Sequence, residues 1–247
     1  MAWVTKVRHT ATASRHPRVC RVPIFTKDDR SVLFVHVPKT GGTSIERLLI
    51  RAGWSMGLHA TPTTEPREHF RMRRCSPQHY HGAILRELLH VRRFDLSFLV
   101  VRDPIARFRS EYAYRRSEPG AGRADAVGRW AHDSLDRLPR SPYLRDNHLR
   151  PQHEFLVPGA HVYRLEDGID AIADHLNAEF GLGIERSIRR FKHSGTENTL
   201  ASSDVEIDAA LEARLRQVYA TDFALFGYDA GPVPDGVPRH TLHRLTP

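Results

Sequence analysis

The segment SVLFVHVPKTGGTSIERLLI, Ser31 to Ile50, restricts this chain more than any other. Val32 to Val37 are nearly all apolar or β-branched, as in a buried strand. Pro38-Lys39-Thr40-Gly41-Gly42-Thr43-Ser44 makes a turn, and Ile45, Leu48, Leu49 and Ala52 follow at helical spacing. A strand, a glycine turn and a helix in that order aim backbone N–H groups and a helix N-terminus at one point. A phosphate or sulfate binds readily there. Lys39 adds a full positive charge, Thr43 and Ser44 add hydroxyl donors, and Gly41 and Gly42 permit positive φ and close backbone approach. A Walker A loop, G-x-x-x-x-G-K-[ST], places its lysine after the glycines. Here Lys39 precedes Gly41 and Gly42. The plain alternative is a βα turn with two glycines and a surface lysine.

A second strand–turn–helix follows. Leu96 to Val101 reads as a buried strand, Arg102-Asp103-Pro104 ends it, and Ile105 to Tyr112 continues as helix. Arg102 stands at the carboxyl end of its strand, as Lys39 stands just past the end of its own. Ligands of open parallel sheets bind outside those ends. Two cationic strand ends suit a ligand with two anionic groups, and Ser110 is within reach from the helix. The alternative for Arg102 is an ion pair with Asp103 or Glu111.

Together, P-K-T-G-G-T-S after one strand and R-D-P-x-x-R-x-x-S-x-Y after another resemble the PAPS-dependent sulfotransferases. The chain is most similar to their carbohydrate (Golgi-type) branch and its bacterial relatives, which include heparan sulfate 2-O-sulfotransferase-like proteins. The resemblance runs from about Ser31 to Tyr228 and includes Tyr219-x-x-Asp222-x-x-x-Phe226-Gly227-Tyr228. It implies a P-loop-like three-layer α/β fold. It also implies PAPS as donor and PAP as product. Lys39, Thr40, Gly41, Gly42, Thr43 and Ser44 then hold the 5′-phosphosulfate, and Arg102 and Ser110 the 3′-phosphate.

Composition bounds the rest. At 247 residues the chain fits one α/β domain, and a 40% apolar fraction supplies a core. The net charge of +8 favours anionic partners without choosing between nucleotides, glycans, nucleic acid and anionic membranes. Cys20 and Cys75 are too few for a disulfide framework, and no metal-ligand spacing is visible. The N-terminal residues lack a continuous apolar stretch, and no run reaches the length of a membrane span. A cytoplasmic, metal-free enzyme is the expectation, with a hydroxylated acceptor, anionic glycans among the candidates, and no nucleic acid.

The βα alternation predicts a small parallel sheet of three to five strands with helices on both faces. Three regions are expected: a basic irregular segment 1–30, a domain 31–228, and a fraying tail 229–247. Helices are predicted over His81–Arg93, Ile105–Arg116, Ala124–Leu138, Ile169–Phe180 and, as one long element, Val205–Phe226. His161–Leu165 reads as a short strand. Residues 60–77 read as a loop, Arg140–Val157 as irregular, and Lys192–Thr196 as a surface loop or nucleotide lid.

Sulfuryl transfer needs charge stabilisation at the leaving oxygen, for which Lys39 is the natural group. It also needs a base, and histidine has the right pKa. The relatives carry Tyr-His-Gly-His where this chain has Tyr80-His81-Gly82-Ala83. His81 is therefore the preferred base and His79 the second. Asn147, Arg150 and Gln152, in the polar run Asp146–Gln152, are read as lining the site. Two rival readings remain at this level. One is an ATP- or GTP-dependent kinase or hydrolase, which would need Mg²⁺ and an acidic strand end. The other is a non-catalytic polyanion-binding protein.

Overall fold

The computed structural model describes residues 24–57, 73–116, 127–185 and 200–228. Five strands form one sheet: β1 (Ile24–Lys27), β2 (Arg30–Val35), β3 (Ser55–Gly57), β4 (Leu96–Val101) and β5 (His161–Arg164), in the order β3-β1-β2-β4-β5. β2, β4 and β5 run parallel, with Phe34 beside Phe98 and Leu99 beside Val162. β1 and β3 are antiparallel additions. The α/β class stands, but the sheet is mixed rather than wholly parallel.

The sheet also begins earlier than expected. Ile24–Lys27 lies inside the stretch 1–30 read as irregular, yet it pairs with β2 through a two-residue Asp28-Asp29 turn, and Phe25 is fully buried. Asp28 takes a positive φ of 51°, the hand a tight hairpin needs. The acidic pair between two apolar runs was the available signal.

Among the described residues, seven α-helices accompany the sheet: α1 (Gly42–Arg51), α2 (Gly82–Leu88), α3 (Pro104–Arg116), α4 (Val127–Arg137), α5 (Ile169–Phe180), α6 (Ala209–Val218) and α7 (Ala220–Leu225). Alternate residues of β2 point to opposite faces. Val32 and Phe34 pack with α1 and α5 through Ile45, Leu49, Ile172 and Leu176. Leu33 and Val35 pack on the other face with Leu85, Phe155 and Phe226. β4 is buried at every position, as a central strand covered on both faces must be. A third cluster joins α3, α4, α6 and α7 through Phe108, Leu135, Leu215 and Phe223.

Two helix expectations change. The element expected over Val205–Phe226 is two helices broken at Tyr219. The first starts late, at Ala209, because the Asp208 carboxylate accepts from Leu211 N and caps it there. The break follows from tertiary contacts: Tyr219 Oη donates to the Leu149 carbonyl, and the buried Asp222 carboxylate accepts from the main chain of Gln152 and His153. The helix expected to run to Arg93 stops at Leu88, and a 3₁₀ turn, Val91–Arg93, leads into β4. The lid candidate Lys192–Thr196, Cys20, residues 60–72 and the tail 229–247 lie outside the described residues.

Candidate functional site

The glycine turn sits at the carboxyl end of β2. Lys39 and Gly41 both have left-handed backbone, with φ of 68° and 82°. Gly41 closes the turn by accepting from Ser44 N at 2.9 Å. Gly42 is required for another reason: a Cβ there would stand 2.2 Å from His36 Nε2. The first N–H groups of α1 have no intrahelical partner and face the turn. Thr43 is exposed and Ser44 half-buried, so both hydroxyls are at hand. Thr40 differs. Its hydroxyl is fully buried and donates to the Val37 carbonyl at 2.8 Å, so it braces the turn rather than reaching out.

Arg102, just past β4, directs Nη1 at the Lys39 carbonyl 3.5 Å away. The two cationic corners therefore adjoin. Burial lowers the Arg102 pKa, and the neighbouring Glu166 and Asp103 carboxylates oppose that shift. Gln152 fixes the main chain of Arg102 from both sides, accepting from its N–H at 2.9 Å and donating to its carbonyl at 2.7 Å. Ser110 lies half-buried on α3.

Three histidines line up beside the turn. His36 and His79 meet edge-on with centroids 5.4 Å apart, and His79 and His148 do so at 4.8 Å. Each has Nδ1 on a carboxylate: His36 on Glu46 at 2.6 Å, His79 on Asp146 at 2.7 Å, and His148 on Glu111 at 2.6 Å. Burial pulls the His79 pKa down to about 4. Burial pushes the Asp146 carboxyl up, but hydrogen bonds from His79 and Ser76 outweigh it and hold the group at about 2. An ionised carboxylate only accepts, so the neutral ring of His79 carries its proton on Nδ1. Nε2 is left with a lone pair, which is the form of a general base.

The segment that supplies Asp146 is strained. Arg145, Asp146 and Asn147 are consecutive non-glycine residues with φ of 52°, 61° and 64°. Left-handed backbone costs about 1–2 kcal/mol per residue. Asn147 holds the turn by donating to the His79 carbonyl and accepting from Arg150 Nε, both at 2.9 Å. Strain of this kind persists where surrounding contacts over-determine it.

The structure separates the residues expected at the site into two groups. Lys39, Gly41, Gly42, Thr43, Ser44, Arg102 and His79 gather around the ends of β2 and β4. Asn147, Arg150 and Gln152 are buried, and their side chains donate to the carbonyls of His79, Pro142 and Arg102, so they tie this loop to the site. His81 caps α2, and its ring neighbour is Tyr143 at 6.0 Å, whereas the ring neighbours of His79 are His36 and His148. Burial and Arg150 lower the His81 pKa, and its buried Nε2 has no hydrogen-bond partner among the described residues.

A family model described as the sulfotransferase family matches residues 22–229. The chain belongs to the sulfotransferase family. A search of the curated proteins gives no match. In this sulfotransferase, several working residues carry no obvious motif signal. Arg107 is buried and donates to three carbonyls, those of Pro38 (3.0 Å), Arg150 (2.9 Å) and His148 (2.8 Å). Glu111, fully buried one turn later, anchors His148 and Arg115. An arginine and a glutamate on the apolar stripe Pro104-Phe108-Tyr112 were the signal for both. A histidine inside the apolar run Val32–Val37 was the signal for His36.

Among the described residues, His79, Asp146 and His148 bring ligating atoms within 4.8 Å of one another. Both Asp146 oxygens already accept from Ser76, one of them also from His79, and both imidazole Nδ1 atoms face carboxylates. These hydrogen bonds join His79 and Asp146 to Ser76, and His148 to Glu111. No described helix is long and apolar enough to cross a membrane.

Proposed function

We propose that this sulfotransferase moves the sulfuryl group of PAPS onto a hydroxyl in one in-line displacement, with His79 as the base. The acceptor oxygen forms a bond to sulfur as the bond from sulfur to the bridging phosphate oxygen breaks. The hydroxyl proton passes to His79 Nε2, and PAP leaves. Lys39 hydrogen-bonds the bridging oxygen as negative charge grows there. Asp146 keeps the His79 ring in the required tautomer and bears the imidazolium that forms.

The single observation that carries this reading is the approach of Arg102 to the Lys39 carbonyl at 3.5 Å. It supports this reading because the main chain of the glycine turn, which leads into the open end of α1, adjoins the Arg102 guanidinium. That suits the 5′-phosphosulfate on the turn and the 3′-phosphate on Arg102 and Ser110. The β4 end offers Arg102 before Asp103, a cation where a nucleotide hydrolase needs a metal-holding acid.

The acceptor in this reading is a carbohydrate or small metabolite with a free hydroxyl, anionic glycans included because the net charge is +8. A cytoplasmic setting fits the buried Cys75, whose thiol burial pushes up to about 12 and so keeps protonated. Calorimetry with PAP and mass spectrometry of a hydroxylated acceptor panel incubated with PAPS test the proposal. Tight PAP binding and an acceptor heavier by one sulfuryl group are expected. Absence of any PAP or PAPS binding overturns it.

A further inference from the structure

The ring of Tyr114, on the last turn of α3, stands between the two ends of this chemistry. Lys39 Nζ lies 4.0 Å from its centroid. The His148 ring stacks against it at 5.9 Å, with 27° between the planes. His148 meets His79 edge-on at 4.8 Å, and the buried Glu111 holds His148 by Nδ1 at 2.6 Å. A continuous stack thus runs from the ammonium of Lys39 through Tyr114 and His148 to the ring of His79. Tyr114 is 45% exposed, so contacts with its neighbours rather than burial fix its place. Arg115 adds a second cation 5.4 Å from the same ring.

We propose that Tyr114 is a positioning residue. Its electron-rich face holds the Lys39 ammonium at a set place relative to His79, using His148 as the spacer. An ammonium over an aromatic face is held by the ring quadrupole, more strongly where water is excluded. Lysine has four rotatable side-chain bonds, so an unsupported ammonium would wander. A misplacement of about 1 Å between reacting groups costs about a hundredfold in rate. The proposal rests on the sulfuryl-transfer reading, in which Lys39 and His79 act at opposite ends of the transferred group.

The test uses the full chain with PAPS, taking water as the acceptor, and reads PAP release by chromatography. PAP affinity is read in parallel by calorimetry. Tyr114→Phe and Tyr114→Trp keep the aromatic face and should stay near the parent rate. Tyr114→Leu should slow cleavage about tenfold, the size of a partly desolvated cation–π contact. Its PAP affinity should change less than the rate. In a Lys39→Ala background Tyr114→Leu should have no further effect, because the group it positions is gone. An unchanged rate in Tyr114→Leu overturns the proposal. So does an equal slowing in the Lys39→Ala background, or loss of rate in Tyr114→Phe and Tyr114→Trp alike. A parent chain that neither binds PAP nor cleaves PAPS would instead sink the sulfuryl-transfer reading itself.

Discussion

The Arg102 guanidinium reaches the main-chain carbonyl of Lys39, at 3.5 Å, and so measures how closely the ends of β2 and β4 approach. At that length the contact positions more than it binds. Other ties reinforce it. Arg107 donates to the Pro38 carbonyl at 3.0 Å, and Gln152 pairs with the main chain of Arg102. The two strand ends are therefore tied to each other by several hydrogen bonds.

If Lys39 stabilises the leaving oxygen, its loss should appear in the chemical step. Lys39→Ala should lower the single-turnover rate about 10²–10³-fold, the usual effect of removing one preorganised donor. A variant that alters only the Michaelis constant for PAPS would show that Lys39 serves ground-state binding alone.

His79 and His81 can be told apart directly. His79→Ala should cost about 10²–10⁴-fold in turnover, the range for loss of a general base. Asp146→Asn should lose much of the same factor, because the ring then loses its fixed tautomer. His81→Ala, whose ring lies on Tyr143, should retain most of the rate. The reverse ranking would return the role to His81.

The depressed pKa of His79 links stability to pH. Burial holds it at about 4, against an ordinary 6.5. Between those values the unfolded chain binds a proton at this site and the folded chain does not. Stability from this group is therefore complete above about 6.5 and declines as pH falls toward 4. Asp146 acts in the same direction lower down, contributing above 3.8 and losing its share toward 2. Thermal melts between pH 7 and 4.5 should show a shallower decline for His79→Gln than for the parent. Equal slopes would mean that His79 is not held neutral.

Arg107→Met should destabilise the fold while leaving the catalytic groups in the sequence. It strands three carbonyls on Pro38, His148 and Arg150. A hydrogen bond to a charged group contributes about 1.5–3 kcal/mol. Urea denaturation should therefore show a loss of about 3 kcal/mol or more. A change below 1 kcal/mol would show that water replaces the guanidinium.

Gly42→Ala tests the close approach at the start of α1. The added methyl would meet the His36 ring, which the Glu46 carboxylate holds from the other side. PAP affinity should fall at least tenfold in calorimetry, one decade being about 1.4 kcal/mol. Unchanged affinity would mean that His36 yields without moving the turn.

Much of the scaffold was legible because it is written in local pattern. The apolar runs of β2 and β4, the helix Ile169–Phe180 closed by Gly181, and the turn Pro38–Ser44 all follow from periodicity and glycine chemistry. The break at Tyr219 was not legible, because Asp222 is drawn to Gln152 and His153, about seventy residues away in the chain. The hydrogen bonds of Asn147, Arg150 and Gln152 to His79, Pro142 and Arg102 were not legible for a related reason. A polar run looks alike whether its groups face a ligand or knit a strained turn.

The sequence alone determined where cations stand relative to strands, since a residue's place at a strand end depends only on its near neighbours. It also determined the family, through two motifs whose spacing local geometry requires. Tertiary structure alone decided which histidine stands beside the glycine turn. His79 and Asp146 meet across sixty-seven residues, and only packing fixes so distant a pair. Burial then set the protonation of that pair, because the cost of charge depends on what surrounds it in space rather than along the chain.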